Sequence, residues 1–183
     1  MPTFRGHTDD VEGDTYVEQV RSYLEVIDKG MQDDQILLLK LHPLVQKGLD
    51  LDNYRHIRPF PSELDTYDVL NACDVLITDY SSVMYDFANT GRKIILFAYD
   101  LEDYMGHRGM YEDIRSYPFP IAVTPEEVLA ELQEPGGGAD REFLDKYCTF
   151  DRQKATRNIC RHVLLGKYLC QEHKMPVTTK KKV

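Results

Sequence analysis

Residues 74–98, DVLITDYSSVMYDFANTGRKIILFA, decide the fold. Asp74 to Thr78 is a short apolar run, Ser81 to Thr90 has helical character, Gly91 closes that helix, and Lys93 to Ala98 is a second apolar run. An uninterrupted apolar run of this length reads as a strand buried on both faces. Two such strands joined by a helix run parallel, because a tight hairpin cannot connect them.

Working outward, the same alternation recurs. Thr15 to Lys29 carries Val17, Val20, Leu24 and Ile27 at helical spacing, with Gly30 as the stop. Gln35 to Leu41 (QILLLKL) reads as a buried strand stopped by Pro43, and Ile57-Arg58 as a weaker one. Glu63 to Cys73 reads as a helix with Leu64, Tyr67, Val69 and Leu70 on or near one face. Pro120 to Val123 is a short strand. Thr124-Pro125-Glu126-Glu127 is a helix start with a threonine cap, a proline at the first position and acids in the first turn, and that helix runs to about Gln133. Tyr99 to Tyr111 reads as a loop. Glu134 to Asp140 (EPGGGAD) reads as a flexible insert. Arg141 to Tyr147 and Gln153 to Leu169 read as helices, and Met175 to Val183 as a disordered basic tail. The fold class is α/β, a Rossmann-like parallel sheet with helices on both faces.

The chain has 183 residues, 42% of them hydrophobic, enough for one domain core. With 22 basic and 31 acidic residues it carries a net charge of −9, which argues against a broad nucleic-acid or anionic-membrane surface. No apolar run approaches the roughly 20 residues of a membrane span, and the opening MPTFRGHTDD has no apolar signal-peptide core. Cys73, Cys148, Cys160 and Cys170 show no CxxC or metal spacing and read as reduced thiols of a cytoplasmic protein. His7, His56, His162 and His173 have no metal-ligand spacing either, so no metal and no cofactor is expected. Neither GxGxxG nor GxxxxGK[ST] occurs.

Ligands of such sheets lie beyond the carboxyl ends of the strands. After the run at 74–78 come Ser81 and Ser82 at a helix start, where free amides and hydroxyls can hold an anion. The alternative is an ordinary serine N-cap. After the run at 35–41, alternation sets Lys40 and His42 on one side, a cationic pair for a diphosphate or a locally packed strand-end histidine. Arg108 could clamp a phosphate or pair on the surface with Asp100, Glu102 or Asp103.

PTFRG at 2–6, LKLHP at 39–43, DVLITDYSSVMYDF at 74–87, FAYDLEDY at 97–104 and RGMY at 108–111 together resemble the CDP-glycerol glycerophosphotransferases of teichoic-acid synthesis. The resemblance runs to about Leu132 and continues weakly through 143–159. It departs at Asp151-Arg152, where the family often has Asp-Gly. It implies the carboxyl-side domain of a GT-B arrangement over residues 1–172, followed by a basic tail at 173–183, with the family's amino-side domain absent from this chain.

It further implies that Lys40, Leu41 and His42 lie at the diphosphate, with His42 also catalytic. Ser81, Ser82 and Asp86 would hold phosphate or glycerol oxygens, Thr3 and Arg5 would line the cleft, and Arg108 would assist. The implied reaction transfers glycerol phosphate from CDP-glycerol to a lipid-linked glycerol-phosphate acceptor and releases CMP. The implied setting is the inner face of the cell membrane, with no nucleic-acid partner. A chain acting alone would be inactive or nearly so. Two other readings stand beside it: a non-catalytic remnant that binds a CDP-polyol, and a transferase using CDP-ribitol.

Overall fold

The structure, a computed structural model, describes residues 13–41, 48–107, 112–151 and 154–165. It opens with α1 (Gly13–Gly30), then β1 (Leu37–Leu39) and β2 (Ile57–Pro59), α2 (Thr66–Ala72) and β3 (Val75–Thr78). There follow α3 (Val83–Ala88), β4 (Lys93–Phe97), α4 (Leu101–His107), a 3-10 turn (Ile114–Ser116), β5 (Ile121–Ala122), α5 (Pro125–Gln133) and α6 (Arg141–Tyr147).

Every strand pairing among the described residues is parallel. Leu37 to Leu39 pairs with Ile57 to Pro59, Val75 to Thr78 with Lys93 to Leu96, and Leu96-Phe97 with Ile121-Ala122. Helices cover both faces, and β4 shows this residue by residue. Ile94 and Leu96 join Leu70, Leu76, Met84 and Phe87 on the face of α2 and α3. Ile95 joins Val128 of α5 on the other face, and Ile94, Ile95 and Leu96 are all fully buried. α1 lies on the α5 face. A Cβ on Gly30 would collide with Leu129, and the Tyr23 ring stands 5.4 Å from that of Phe97. Leu24 of α1 closes a further cluster with Leu39, Leu41 and Ile57.

Among the described residues the strands form two ladders, β1-β2 and β3-β4-β5, and not one continuous sheet. Three other sequence expectations change. The stretch 99–111 is not all loop, since Leu101–His107 is helical; Tyr104 stacks on Tyr80 with ring centroids 3.6 Å apart, a contact from another element. The helix expected from Glu63 begins at Thr66, because the Asp65 carboxylate accepts from the Tyr67 amide at 2.8 Å and fixes the start there. Leu64 and Tyr67 are consequently exposed, while Val69 and Leu70 are buried. The glycine-rich insert is packed: the Gly137 carbonyl accepts from the Ile94 amide at 3.0 Å, and the Glu134 carbonyl from Lys93 Nζ at 2.7 Å.

The helix starts with the clearest sequence signals form as read. Thr124 accepts from the Glu127 amide at 3.2 Å with Pro125 in the first position. Gly91, at φ +68, closes the α3 segment in a conformation that glycine adopts without strain. Residues Thr149–Val183 form a second unit. Its described part is α7 (Ala155–Leu165), with Ile159 and Val163 exposed. Arg152 and the stretches 166–169 and 173–183 lie outside the described residues.

Candidate functional site

The site is built where β1 and β3 end and α2 and α3 begin. Leu37, Leu39 and Leu41 turn toward α1, so strand alternation sends Lys40 to the opposite face. There Lys40 Nζ donates to the Thr66 hydroxyl at 2.7 Å and sits 4.2 Å from the centre of the Phe60 ring. The cation is thereby oriented from two sides, by a hydrogen bond and by the ring face. Leu41, by contrast, is 8% exposed, with its side chain in the α1 cluster.

β3 delivers Thr78 and Asp79, both 2% exposed, and then Tyr80. The Tyr80 hydroxyl donates to Asp100 at 3.0 Å while its ring lies on Tyr104. These contacts fix the turn that presents Ser81 and Ser82. Ser82 occupies the N-cap position of α3 in helical backbone geometry (φ −61°, ψ −13°), and its side chain makes no capping hydrogen bond. Ser81 Oγ lies 3.5 Å from the Val83 amide, a weak contact. The serine-cap alternative therefore does not account for Ser82, an exposed residue.

Asp86 lies one helical turn beyond Ser82, on the exposed surface of α3. The Tyr67 hydroxyl stands 3.5 Å from its Oδ2. Thr66 and Tyr67 are consecutive residues, so the first turn of α2 touches Lys40 with one side chain and Asp86 with the next. Thr66 was not singled out in the sequence, and Tyr67 only as a residue on or near the apolar face of its helix. The available signal was positional: β2 is also a parallel strand, and the helix start beyond its carboxyl end belongs to the same rim.

The structure thus gathers Lys40, Ser81, Ser82 and Asp86 around one rim and adds Thr66 and Tyr67. Thr3, Arg5, His42 and Arg108 lie outside the described residues. Among the described residues no group of three or more His, Cys, Asp or Glu side chains could hold a metal ion. No described helix is long and apolar enough to cross a membrane. Among the described residues the rim brings together the Lys40 cation, the hydroxyls of Thr66, Tyr67, Ser81 and Ser82, and the Asp86 carboxylate.

The fold defines a parallel α/β domain, the class in which the ligand crevice lies beyond the carboxyl ends of the strands. The family model described as CDP-Glycerol:Poly(glycerophosphate) glycerophosphotransferase matches residues 1–165, and the chain belongs to that family. It is 33% identical over 153 residues to a teichoic acid poly(glycerol phosphate) polymerase of Staphylococcus epidermidis, covering 79% of this chain and 21% of that protein. It is 32% identical over 143 residues to a teichoic acid poly(ribitol-phosphate) polymerase of Bacillus spizizenii, covering 73% of this chain and 22% of that protein. Among solved structures, a variant of the wall teichoic acid polymerase TagF soaked with CDPG for 30 minutes superposes with a TM-score of 0.68 at 30% identity. That match covers 90% of this chain and 40% of TagF, so the chain spans well under half the length of these relatives.

Proposed function

We propose that this chain is the donor-binding domain, residues 1–172, of a CDP-glycerol glycerophosphotransferase, with 173–183 as a basic tail. The observation that carries the reading is the α2 start, where Thr66 accepts from Lys40 at 2.7 Å and the Tyr67 hydroxyl stands 3.5 Å from Asp86, on one rim with Ser81 and Ser82. In this reading Lys40, His42 and the Leu41 backbone face the diphosphate, and Ser81 and Ser82 donate to phosphate oxygens. Asp86 accepts from the glycerol hydroxyls, Thr3 and Arg5 line the cleft, and Arg108 adds positive charge.

Transfer then proceeds by attack of an acceptor hydroxyl on the phosphorus that carries the glycerol. A new P–O bond forms to the acceptor, the bridging P–O bond to CMP breaks, and the hydroxyl proton passes to a base. The protein's part is positioning and charge stabilisation. His42 serves either as that base or on the departing phosphate. The acceptor is a lipid-linked glycerol phosphate, presented at the inner membrane face to an enzyme that supplies its second domain from polypeptide outside these 183 residues.

Calorimetric titration of the chain with CMP, CDP-glycerol and CDP-ribitol tests the reading. Saturable binding of CDP-glycerol, tighter than CMP, is expected; no binding of any of the three would sink it. The CDP-ribitol arm matters because the ribitol-phosphate and glycerol-phosphate relatives are almost equally similar to this chain. Tighter binding of CDP-ribitol would reassign the donor.

A further inference from the structure

Tyr67 is a large side chain left 57% exposed in the first turn of α2, and it stands on the ligand rim. We propose, building on the reading above in which Asp86 accepts from the polyol hydroxyls of the donor, that Tyr67 limits the length of polyol the site accepts and favours glycerol over ribitol.

The rim has a direction. At one end Lys40 donates to Thr66 at 2.7 Å, and at the other the Tyr67 hydroxyl stands 3.5 Å from Oδ2 of Asp86. Between these ends the rim passes from a cation to a carboxylate. A CDP-polyol has the matching order, an anionic diphosphate followed by neutral hydroxyls. With its diphosphate at Lys40, such a donor points its polyol at Asp86, and Tyr67 is the bulky group beside it.

The contact closes one side of the carboxylate. Two oxygens 3.5 Å apart leave no room for a third between them. Ser82 and Asp86 are four residues apart and share one face of α3, so Asp86 is open to hydroxyls from the Ser82 side and shut toward Tyr67. A glycerol hydroxyl reaches the open side. Ribitol carries two more carbons and their hydroxyls, and these run against the phenol ring. A clash built against the longer ligand discriminates without any new attraction for the shorter one.

The ring also has a firm base. The Tyr67 amide donates to the Asp65 carboxylate at 2.8 Å, and Thr66, the residue before it, is bonded to Lys40. The backbone from which the ring projects is thus held at two points, and a tyrosine side chain has only two torsions through which to swing. The glycerol-phosphate and ribitol-phosphate relatives resemble this chain almost equally, so overall similarity does not choose the polyol and the choice falls to single residues of this kind.

Calorimetric titration of the unaltered chain, Tyr67→Ala, Tyr67→Phe and Asp86→Asn with CDP-glycerol, CDP-ribitol and CMP tests the assignment. The unaltered chain is expected to bind CDP-glycerol more tightly than CDP-ribitol. Tyr67→Ala removes the ring, and the Kd ratio of CDP-ribitol to CDP-glycerol is expected to fall by about ten-fold or more. Tyr67→Phe keeps the ring and should keep the ratio. CMP has no polyol and should bind the unaltered chain and both Tyr67 variants alike, which also shows that they are folded. Equal affinity of the unaltered chain for the two donors would overturn the proposal, as would a ratio that Tyr67→Ala leaves in place or that Tyr67→Phe lowers as much. A CMP affinity that falls in step with the donors in Tyr67→Ala would make the effect general and overturn it too. Asp86→Asn separates the two levels. If it abolishes the advantage of CDP-glycerol over CMP while Tyr67→Ala leaves the ratio in place, the reading of Asp86 stands and the role of Tyr67 alone falls. If that advantage is absent from the unaltered chain, or survives Asp86→Asn, both fall.

Discussion

Lys40 and Thr66 are joined by a 2.7 Å hydrogen bond between the end of β1 and the first residue of α2, twenty-six positions apart in the chain. The bond sets where the cation points, since the Phe60 ring restrains it only from one side. Thr66→Val keeps the shape and removes the acceptor. A hydrogen bond of this kind contributes about 1 kcal/mol, or roughly five-fold in Kd. CDP-glycerol affinity measured by calorimetry is expected to fall by that factor with little change in Tm. Unchanged affinity would show that Lys40 does not need this partner.

Ser82→Ala separates ligand binding from helix capping. The Ser82 side chain makes no capping bond, so Tm is expected to stay within a degree or two. Hydrogen bonds to a charged phosphate contribute roughly 1.5–3 kcal/mol, so donor affinity should drop about ten-fold or more. A fall in Tm with affinity intact would remove Ser82 from the rim.

Asp28 in the last turn of α1 accepts from the backbone amides of His56 at 2.7 Å and Arg55 at 3.0 Å, fixing the approach to β2. Burial raises its pKa, but those amide donors outweigh burial and leave the carboxyl below its ordinary value of 3.8. A lowered folded-state pKa stabilises the protein fully above the unfolded value, and the contribution is lost as pH falls through the folded one. Asp28→Asn should cost about 1 kcal/mol at pH 7, and the gap to the unaltered chain should narrow below roughly pH 4. Urea denaturation at pH 7 and pH 3.5 measures it. A gap that stays constant would contradict the carboxylate's role.

Gly138→Ala tests the packing of the glycine-rich segment. A Cβ there would stand 2.5 Å from the Gly91 carbonyl oxygen, and backbone cannot swing away as a side chain can. A loss of about 1–3 kcal/mol is expected, typical of overpacking. Gly106→Ala, where nothing lies within 4 Å of the new carbon, is the control and should not lower stability. Equal stabilities of the two variants would mean that residues 134–140 are not held against the sheet.

The strand–helix–strand unit at 74–98 was legible because β4 is buried on both faces, β3 is buried on one and half-buried on the other, and Gly91 marks the turn; such strands leave uninterrupted apolar runs. α4 was not, because YDLEDYMGH buries only Leu101 deeply and owes its place to the Tyr80 and Tyr104 stack. Lys40, Ser81, Ser82 and Asp86 could be found by their positions after strands or by motif. Thr66 and Tyr67 were legible only through their place at the helix start after β2: Tyr67 has the spacing of a core residue, yet it is exposed, with its hydroxyl 3.5 Å from Asp86.

β5 has only two residues, and the bond at Ile94 falls short of it. The Gly137 carbonyl takes that amide instead. A stretch that would pass for a spacer thus blunts the outer rim of the sheet, where an exposed donor would invite a strand from a neighbouring molecule. Shortening the glycine run should leave the ligand rim intact and show itself as clumping at high protein concentration, which light scattering would detect.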